Sequence, residues 1–382
     1  MAKIAIDIRT LMDERYSGVS EYTLRLVSEL LRLDKQNEYV LYYNCGRDIS
    51  DRLPQFQQAN VRVVGTRYPN KLFNYVLQKI FHYPKIDRAV GAADVFWSPH
   101  INFLSLSNQP KKFLTIHDLS FLRYPDFFSG RKNFWHRAVN IKRLAAGFDR
   151  FIAVSENTKN DIVGLLGVPA ERVDVIYSGV DESYAPVNNV DVLEKVRSKY
   201  VLPGKFILYL GNVEPRKNLV GLIKAYTELR QNNPELSDYQ LVIAGATGWK
   251  IAQIFQALYA SPYQDDIKFL GYVDKEDKPA LYTLSSVFAY PSFYEGFGFP
   301  PLEAMACGTP VVTSNISSLP EIVGSAALTI DPYNTRAIAE AIKQVLSSPE
   351  LAENLRQKGL EQVKKFNWEA AAQRYLDIFN RK

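Results

Sequence analysis

Two glutamates bracket a glycine- and proline-rich bend in the last third of the sequence. Residues 295–303 read Glu-Gly-Phe-Gly-Phe-Pro-Pro-Leu-Glu, and residues 302–308 predict a short helix that ends on a glycine. Free backbone N–H groups at the start of such a helix favour an anion, for example a phosphate. Glu295 in the loop and Glu303 in the first helical turn would repel a phosphate, so sugar hydroxyls suit them better. Two solvated surface glutamates are the alternative interpretation.

A second glycine-bearing turn carries two adjacent cations. Residues 211–218 read Gly-Asn-Val-Glu-Pro-Arg-Lys-Asn and lie between a predicted strand and a predicted helix. Arg216 can bind phosphate oxygens in a bidentate fork, and Lys217 can add a point charge. The pair suits a leaving diphosphate, whose negative charge grows as the bond to it breaks. The alternative is a solvated pair at a helix start, where cations oppose the helix dipole.

The first strand-to-helix turn and the four histidines provide weaker candidates. Residues 16–21 read Tyr-Ser-Gly-Val-Ser-Glu; Gly18 favours a phosphate only weakly, and a helix N-cap by Ser17 or Ser20 is the alternative. His117 comes at the end of a predicted strand and could donate a hydrogen bond to a substrate hydroxyl or transfer a proton. His100 also ends an apolar run. The residues around His82 and His136 in the sequence suggest no chemical role for these two histidines.

Composition restricts the class of protein. The chain has 382 residues, of which 47% are hydrophobic, so it can form two domains with separate cores. The two cysteines, Cys45 and Cys307, provide neither a disulfide framework nor a metal cluster, which fits a cytoplasmic protein. The N-terminus predicts a strand rather than a signal peptide. The sequence lacks an Asp-x-Asp pair, a P-loop and a Gly-x-Ser-x-Gly elbow, so a site without a metal is expected.

Positive charge is concentrated in the first half. The net charge is +5, but residues 62–150 contain fifteen Lys or Arg and five Asp, which gives +10, and the remainder carries 5 − 10 = −5. Basic and aromatic residues alternate within 131–143, where a helix is predicted over 135–146. Such a helix can lie on an anionic membrane surface or bind an acidic substrate, and a solvated helix face is the alternative. Nucleic acid is not expected, since no nucleic-acid motif is present.

Short apolar runs alternate with helical patterns along the whole sequence. Seven strand candidates occur in the first half and six in the second, which predicts an α/β protein with two doubly wound, Rossmann-like parallel sheets. We expect an N-terminal domain over 1–185, a C-terminal domain over 186–365, and a last helix in 366–382 that packs back on the first domain. Ligands of such sheets bind at the carboxyl ends of strands, so the expected site is a cleft between the domains.

Taken together, these motifs resemble glycosyltransferase family 4, whose members are retaining enzymes with the GT-B fold. The Glu-x7-Glu of Glu295 and Glu303 is similar to the family signature. Further similarity lies in Leu-Gly-Asn-Val-Glu-Pro-Arg-Lys-Asn over 210–218, Ala-Val-Ser-Glu-Asn-Thr over 153–158 and Phe-Leu-Gly-Tyr-Val over 269–273. One departure is that Ser17 stands where many members carry a glycine.

The resemblance implies a role for individual residues. Glu295 would bind hydroxyls of the donor sugar and Glu303 the ribose of the nucleotide, while His117 would contact the sugar near the reacting carbon. Arg216 and Lys217 would bind the diphosphate together with the backbone of Phe297, Gly298 and Phe299. Gly18 would let the first-domain loop approach the diphosphate and the acceptor, and the backbone around Tyr272 and Val273 would contact the base. Asn212 would line the same cleft.

The implied activity is transfer of a hexose from a nucleoside-diphosphate sugar to a glycan or lipid-linked saccharide. The 211–218 turn is most similar to bacterial mannosyltransferases, which favours GDP-mannose, with UDP-sugars as alternatives. The basic first domain fits a lipid-linked acceptor at the inner face of the cytoplasmic membrane. Two other functions stay open at this point: a sugar-nucleotide epimerase of the same fold, and a non-catalytic protein that binds a nucleotide sugar or glycan.

Overall fold

The computed structural model describes residues 1–13, 16–49 and 51–381. The chain forms two compact units. Unit 1 comprises Met1–Leu122, Gly130–Gly179 and Asn367–Lys382, and unit 2 comprises Arg123–Ser129 and Val180–Phe366. The chain thus leaves unit 1 after Gly179, a little before the predicted boundary at 185/186, and its last helix belongs to unit 1.

Each unit contains one parallel β-sheet, which confirms the predicted fold class. The strands of unit 1 are β1 Lys3–Asp7, β2 Glu38–Asn44, β3 Val61–Thr66, β4 Val95–Ser98, β5 Lys111–Ile116, β6 Arg150–Ala153 and β7 Val173–Val175. The strands of unit 2 are β8 Lys205–Leu210, β9 Tyr239–Ala244, β10 Ile267–Gly271, β11 Val287–Tyr290, β12 Val311–Ser314 and β13 Leu328–Ile330. Strands such as β8, which reads Lys-Phe-Ile-Leu-Tyr-Leu, are nearly continuous apolar runs because both faces of the sheet are covered.

Strand order places one switch point in each sheet. The orders are β3-β2-β1-β4-β5-β6-β7 and β10-β9-β8-β11-β12-β13. In both, the chain winds outward from the first strand, returns, and continues on the other side of it, which is the doubly wound pattern. The loops after β1 and β4 therefore lie side by side in unit 1, as do the loops after β8 and β11 in unit 2. Ligands of such sheets bind at these positions.

Helices connect the strands. In unit 1 the α-helices are α1 Gly18–Leu33, α2 Ile86–Ala89, α3 Ser120–Arg123 (which extends to the unit boundary), α4 Gly130–Val139, α5 Ile141–Ala145, α6 Glu156–Leu166 and, at the end of the chain, α15 Trp368–Phe379. In unit 2 they are α7 Val190–Lys199, α8 Leu219–Asn232, α9 Ala252–Tyr259, α10 Lys278–Leu284, α11 Phe299–Ala306, α12 Leu319–Val323, α13 Thr335–Ser347 and α14 Pro349–Val363. Residues Leu72–Phe81 form a π-helix, and the 3₁₀ helices are Arg9–Met12, Pro125–Phe127, Ala170–Arg172, Pro215–Lys217, Pro234–Leu236, Gln264–Asp266 and Lys275–Asp277. No helix in the described part of the chain is long and apolar enough to span a membrane.

The single helix predicted over 135–146 is wrong. Asn140 has a φ of 53° and separates α4 from α5. Its side-chain oxygen accepts a hydrogen bond from the backbone N–H of Arg143 at 3.3 Å, so Asn140 is the N-cap of α5. Asparagine tolerates this left-handed conformation better than most residues, and the hydrophobic pattern carries no signal of it.

The last helix is joined to unit 1 by a chain of buried hydrogen bonds. The Tyr375 hydroxyl on α15 lies 2.5 Å from the Tyr22 hydroxyl on α1 and 2.8 Å from Oγ1 of Thr115 on β5. Trp97 on β4 donates from its indole N–H to the same Thr115 oxygen at 2.9 Å. All four side chains are buried. Because each polar atom has a partner, this part of the core can be polar without an unpaired group.

We expect Tyr375→Phe to lower the free energy of unfolding by about 2 kcal/mol, because it leaves the buried Tyr22 hydroxyl without its partner. Urea-induced unfolding followed by circular dichroism measures the change. Glu369→Gln is the matched control on the same helix, because the ion pair of Glu369 with Arg32 is exposed and its loss should leave the transition unchanged. Equal effects of the two substitutions would contradict the role of the buried hydrogen bonds.

Candidate active site

A buried cluster of charges joins the loops after β8 and β11. The Lys217 ammonium lies 2.5 Å from Oε1 of Glu295 and donates to the Tyr290 hydroxyl at 2.6 Å. The Arg216 guanidinium contacts the other oxygen of Glu295 at 3.1 Å. The side chains of Arg216, Lys217 and Glu295 are only 15%, 8% and 10% exposed. The alternative interpretations, in which Arg216, Lys217 and Glu295 are solvated surface residues, are therefore wrong.

Glu214 supplies a second carboxylate that the sequence analysis missed. One of its oxygens accepts from Nη2 of Arg216 at 2.8 Å, and its side chain is 2% exposed. Nη1 of Arg216 donates to the carbonyl of Tyr294 at 2.5 Å. The backbone carbonyl of Arg216 accepts from the N–H of Phe293 at 2.9 Å. A signal was available, because a glutamate two residues before an arginine in a tight turn can fold back onto it.

Strand order explains why these residues meet. Strands β8 and β11 are neighbours at the switch point of unit 2. Phe288 lies opposite Leu208, two residues before the last residue of each strand, so the two strands end level with each other. The residues that follow, including Arg216 and Glu295, are thereby brought to one place although they are 79 positions apart in the sequence.

Burial and charge shift the pKa values in this cluster. Burial alone would raise the pKa of Glu295, but the charges of Arg216 and Lys217 outweigh it and lower the pKa to about 2. Burial and the adjacent Arg216 charge lower the pKa of Lys217, and Glu295 opposes that shift. Burial raises the pKa of Tyr290, and the charge of Glu295 adds to the effect. Glu295 is therefore ionised and Tyr290 protonated near neutral pH.

The segment after Glu295 turns sharply into α11. Gly298 has a φ of 116°, and a Cβ atom there would lie 2.9 Å from Leu319, so both the conformation and the space favour glycine. The Ser318 hydroxyl contacts the carbonyl oxygens of Glu295 and Phe297 at 3.0 and 2.7 Å. Phe297 is buried and Phe299 is half-buried. The loop is thus fixed in front of the helix start.

Helix α11 begins earlier than predicted. It starts at Phe299 and includes Pro300 and Pro301, because proline is compatible with the first helical turn, where its missing N–H has no helical partner. Glu303 is consequently the fifth residue of the helix and lies in its second turn, so the predicted first-turn position was wrong. The half-buried Glu303 accepts a hydrogen bond from the Tyr282 hydroxyl at 2.8 Å.

The remaining candidates of unit 2 lie on loops at the carboxyl ends of its strands. Asn212 is exposed in the loop after β8, and its backbone carbonyl accepts from the Tyr209 hydroxyl at 3.0 Å. Tyr272 and Val273 follow β10, two strands away from β8. Tyr272 is 48% exposed, whereas Val273 is buried.

In unit 1, His117 follows β5 and is half-buried. Its Nε2 lies 2.8 Å from the carbonyl of Pro99, and since a carbonyl only accepts, Nε2 carries the proton and Nδ1 is the acceptor. Burial lowers the pKa of His117, opposed by that hydrogen bond. The ring also packs edge-on against Tyr22 at 4.6 Å. His117 is therefore a neutral side chain whose N–H already has a partner.

Gly18 is the exposed first residue of α1. The N-cap is Ser17, whose hydroxyl oxygen accepts from the N–H of Ser20 at 3.3 Å. A Cβ atom on Gly18 would meet no atom of the described residues within 4 Å. Packing within the described chain therefore does not require glycine at this position.

The switch point of unit 1 contains a charged group that the sequence analysis did not single out. Asp7 at the end of β1 and Arg9 form a buried ion pair of 2.6 Å. His100, in the loop after β4, contacts the Asn102 amide at 3.0 Å through Nε2. Burial lowers the pKa of His100 to about 4, despite the charge of Asp7. His100 is therefore neutral near pH 7.

The other residue types considered as ligands are dispersed. Throughout the described ranges, no three His, Cys, Asp or Glu side chains converge as metal ligands. Cys307 is buried, and burial together with the charge of Glu303 raises the pKa of its thiol. Cys45 is only half-buried, and neither cysteine forms a disulfide.

Two protein-family models match this sequence, one in each half. A sequence model of "Glycosyltransferase Family 4" matches residues 16–184, and one of "Glycosyl transferases group 1" matches residues 194–362. O-antigen chain mannosyltransferase B of Escherichia coli is 30% identical over 374 residues, which cover 95% of this chain and 96% of that protein. The serotype-specific mannosyltransferase WbdA of Escherichia coli is 32% identical over 270 residues, which are 69% of this chain but 33% of that longer protein.

Solved structures share the fold at low sequence identity. Sucrose-phosphate synthase from Thermosynechococcus elongatus superimposes with a TM-score of 0.73 and 21% identity, over 99% of this chain and 98% of that one. Anabaena HepE in complex with UDP and glucose gives a TM-score of 0.72 and 17% identity, over 99% of each chain.

We expect Glu295→Gln to lower the free energy of unfolding by about 3 kcal/mol at pH 6, since a depression of the pKa from 4.5 to about 2 corresponds to roughly 1.4 kcal/mol for each unit. A carboxylate with a lowered pKa stabilises the folded protein fully above pH 4.5, and this stabilisation is lost as the pH falls towards 2. The difference between the wild-type protein and Glu295→Gln should therefore shrink between pH 6 and pH 3. Urea-induced unfolding at both pH values measures it.

The matched control for this substitution is Glu340→Gln in the same unit. The ion pair of Glu340 with Arg336 is exposed, so its loss should not change the unfolding transition. A difference between the wild-type protein and Glu295→Gln that stays constant from pH 6 to pH 3 would contradict the assigned ion pair.

Proposed function

The chain belongs to glycosyltransferase family 4 and is a hexosyltransferase with the GT-B fold, and on that basis we propose that it transfers mannose from GDP-mannose to a glycan or lipid-linked saccharide. The mannosyltransferase names of its relatives support mannose as the sugar. A UDP-sugar is the alternative donor, since a protein of the same fold binds UDP and glucose.

The observation that carries this proposal is the pair of cations at the switch point of unit 2. Arg216 and Lys217 follow β8, and Glu295 follows its neighbour β11. In doubly wound sheets, this is the position where nucleotide ligands bind. Two cations within a buried site provide strong stabilisation for a diphosphate, because water screens their charge only weakly there.

Arg216 and Lys217 contact Glu295 in this structure, and a bound diphosphate would replace Glu295 as their partner. The two carboxylate oxygens of Glu295 contact Arg216 and Lys217 at 3.1 and 2.5 Å. A diphosphate would compete for the same N–H donors, and the Glu295 oxygens would then accept hydrogen bonds from the sugar hydroxyls. Glu303 would bind the ribose, and the backbone of Phe297, Gly298 and Phe299 would contact the diphosphate.

The proposed transfer retains the configuration at the sugar carbon. The bond from that carbon to the diphosphate oxygen breaks, and a bond to the acceptor oxygen forms on the same face. The acceptor proton passes to the leaving phosphate, so no protein nucleophile is needed. His117 would accept a hydrogen bond from the sugar through Nδ1, since its Nε2–H already donates to Pro99.

Other contacts to the donor follow from position. We propose that the backbone around Tyr272 and Val273 contacts the base and that Asn212 lines the site. Gly18 would allow the diphosphate and the acceptor to approach the backbone closely. The sequence has no Asp-x-Asp pair, so the proposed site uses cationic side chains in place of a divalent metal.

We place the reaction in the cytoplasm, with peripheral contact to the anionic inner face of the membrane. The segment 131–143 supports this placement, because Arg131 is exposed and Phe134 is 63% exposed on α4. Basic and aromatic side chains together favour such a surface.

Thermal unfolding with GDP, UDP, ADP and their sugars tests the donor class. A nucleotide at 100 times its dissociation constant should stabilise the protein by about 2.7 kcal/mol, and we expect the largest shift with GDP or GDP-mannose. The shift should be unchanged by EDTA. A larger shift with UDP would overturn the GDP assignment, and loss of the shift with EDTA would overturn the metal-free site.

Arg216→Ala and Lys217→Ala should each lower turnover by roughly 10²–10³-fold, the range for loss of one preorganised donor in a transition state. Lys224→Ala is the matched control, because Lys224 is exposed on α8 close to the site in sequence. Product analysis with GDP-mannose and a saccharide acceptor measures the rate. Near-normal turnover in a folded Arg216 or Lys217 variant would refute the assigned role.

A further inference from the structure

A second site for an anion lies in unit 1. A cavity of about 430 Å³ is formed between the end of the π-helix, the loop after β4, and helices α4 and α5. This volume is within the range of small-molecule sites in proteins. Five cationic side chains line it: Lys79, Lys85, Lys112, Arg137 and Arg143.

Among the described residues, no carboxylate forms an ion pair with these cations. None of the described residues that line the cavity is an Asp or Glu, and within the described part of the chain none of the five forms an ion pair. Elsewhere in unit 1 arginines do pair, as Arg62 does with Glu38 at 3.1 Å and Arg150 with Asp174 at 2.7 Å. Like charges around one cavity repel each other, so an anion that enters it is bound favourably.

Neutral groups position three of the five side chains. Lys85 donates to the Ser105 hydroxyl at 3.0 Å, and Lys112 donates to the Ser107 carbonyl at 3.3 Å. Arg143 lies 3.3 Å from Nε2 of His82. An ammonium has three donors and a guanidinium has five, so each of these groups keeps N–H donors for a ligand.

His82 completes the polar rim. Its Nδ1 lies 3.0 Å from the carbonyl of Gln78, which only accepts, so Nδ1 carries the proton. The Arg143 guanidinium only donates, so Nε2 of His82 is the acceptor. No residue near His82 in the sequence suggests a chemical role for it, whereas the structure places it against the Arg143 cation.

Apolar side chains form a further part of the cavity wall. Phe103 and Phe148 are buried, and Leu104 and Leu144 are half-buried. Next to the cavity in sequence, Ile80 and Phe81 are 63% and 66% exposed. Cations beside apolar surface suit a molecule that carries a charged group and an apolar body.

We propose that this cavity binds an organophosphate: a phosphate group contacted by Lys85, Arg143 and their cationic neighbours, with its organic part against Phe103 and Phe148. Guanidinium and ammonium groups together are well matched to phosphate oxygens. The site consists of unit 1 residues alone, so it is separate from the donor site proposed in unit 2 and does not depend on that proposal. The phosphate can come from a lipid headgroup or from a soluble metabolite.

Isothermal titration calorimetry on the full chain tests the site with three probes. Dihexanoyl phosphatidic acid carries a phosphate and short acyl chains, glycerol 3-phosphate carries the phosphate alone, and dihexanoyl phosphatidylcholine carries a phosphate neutralised by choline. We expect phosphatidic acid to bind more tightly than phosphatidylcholine. Additional binding of glycerol 3-phosphate would support a soluble source, and its absence would support a lipid. Failure of both phosphatidic acid and glycerol 3-phosphate to bind would overturn the proposal.

Charge-matched variants locate the binding. Lys85→Gln with Arg143→Gln should weaken phosphatidic acid binding about 100-fold, roughly tenfold for each charge-assisted hydrogen bond. Lys71→Gln with Arg88→Gln removes the same charge from exposed positions of unit 1 but no residue that lines the cavity, and should change binding less than about twofold, since exposed charges outside the site contribute little.

A second variant guards against a folding defect. Lys79→Gln with Arg137→Gln replaces two exposed side chains and should also weaken binding, while thermal unfolding stays as in the wild-type protein. Equal losses in the cavity variants and in the Lys71, Arg88 control would show non-specific charge attraction and overturn the proposal.

Discussion

The ion pairs of Glu295 with Arg216 and Lys217 connect two loops on which the proposed donor site depends. A charged lysine in a nearly dry environment is costly unless a carboxylate lies beside it, so Lys217 and Glu295 each require the other. Hydrogen bonds extend this dependence, because Ser317 and Ser318 contact the backbone of Glu295 and fix the direction in which the chain enters α11. These contacts therefore connect the ends of β8 and β11 with the turn at Gly298 and the first turn of α11.

Sequence patterns predicted the sheets well because parallel strands buried on both faces are nearly continuous apolar runs. They indicated Arg216, Lys217 and Glu295 as candidates for a site but did not indicate how these side chains pair. Glu295 and Lys217 became partners only through the strand order, which is a property of the whole sheet. Local chemistry produced the remaining differences: Pro300 fits inside a first helical turn, and Asn140 ends a helix through a left-handed conformation that hydrophobic spacing does not reveal.

The proposed donor site of unit 2 and the cavity of unit 1 differ in how their positive charges are paired. In unit 2, Arg216 and Lys217 are matched by Glu214 and Glu295, so the site is electrically balanced and a ligand must exchange with a carboxylate. In unit 1, the cations of the cavity contact hydroxyl, carbonyl and imidazole groups, so an anion enters without displacing a charge. Exchange favours selectivity for a ligand that replaces the carboxylate well, whereas an unmatched cavity favours affinity for anions in general.

Helix α15 belongs to unit 1 but is translated after unit 2, and this affects the order in which the units can fold. Unit 1 begins with the first residues of the chain, but its Trp368–Phe379 helix follows all of unit 2. On the ribosome, the Tyr22 face of α1 has no Tyr375 to pack against until the residues that follow unit 2 emerge. Domains fold as units during synthesis, in general from the N-terminus onward. Here unit 2 is complete in the nascent chain while unit 1 still lacks part of its core, so unit 1 begins before unit 2 but is completed after it.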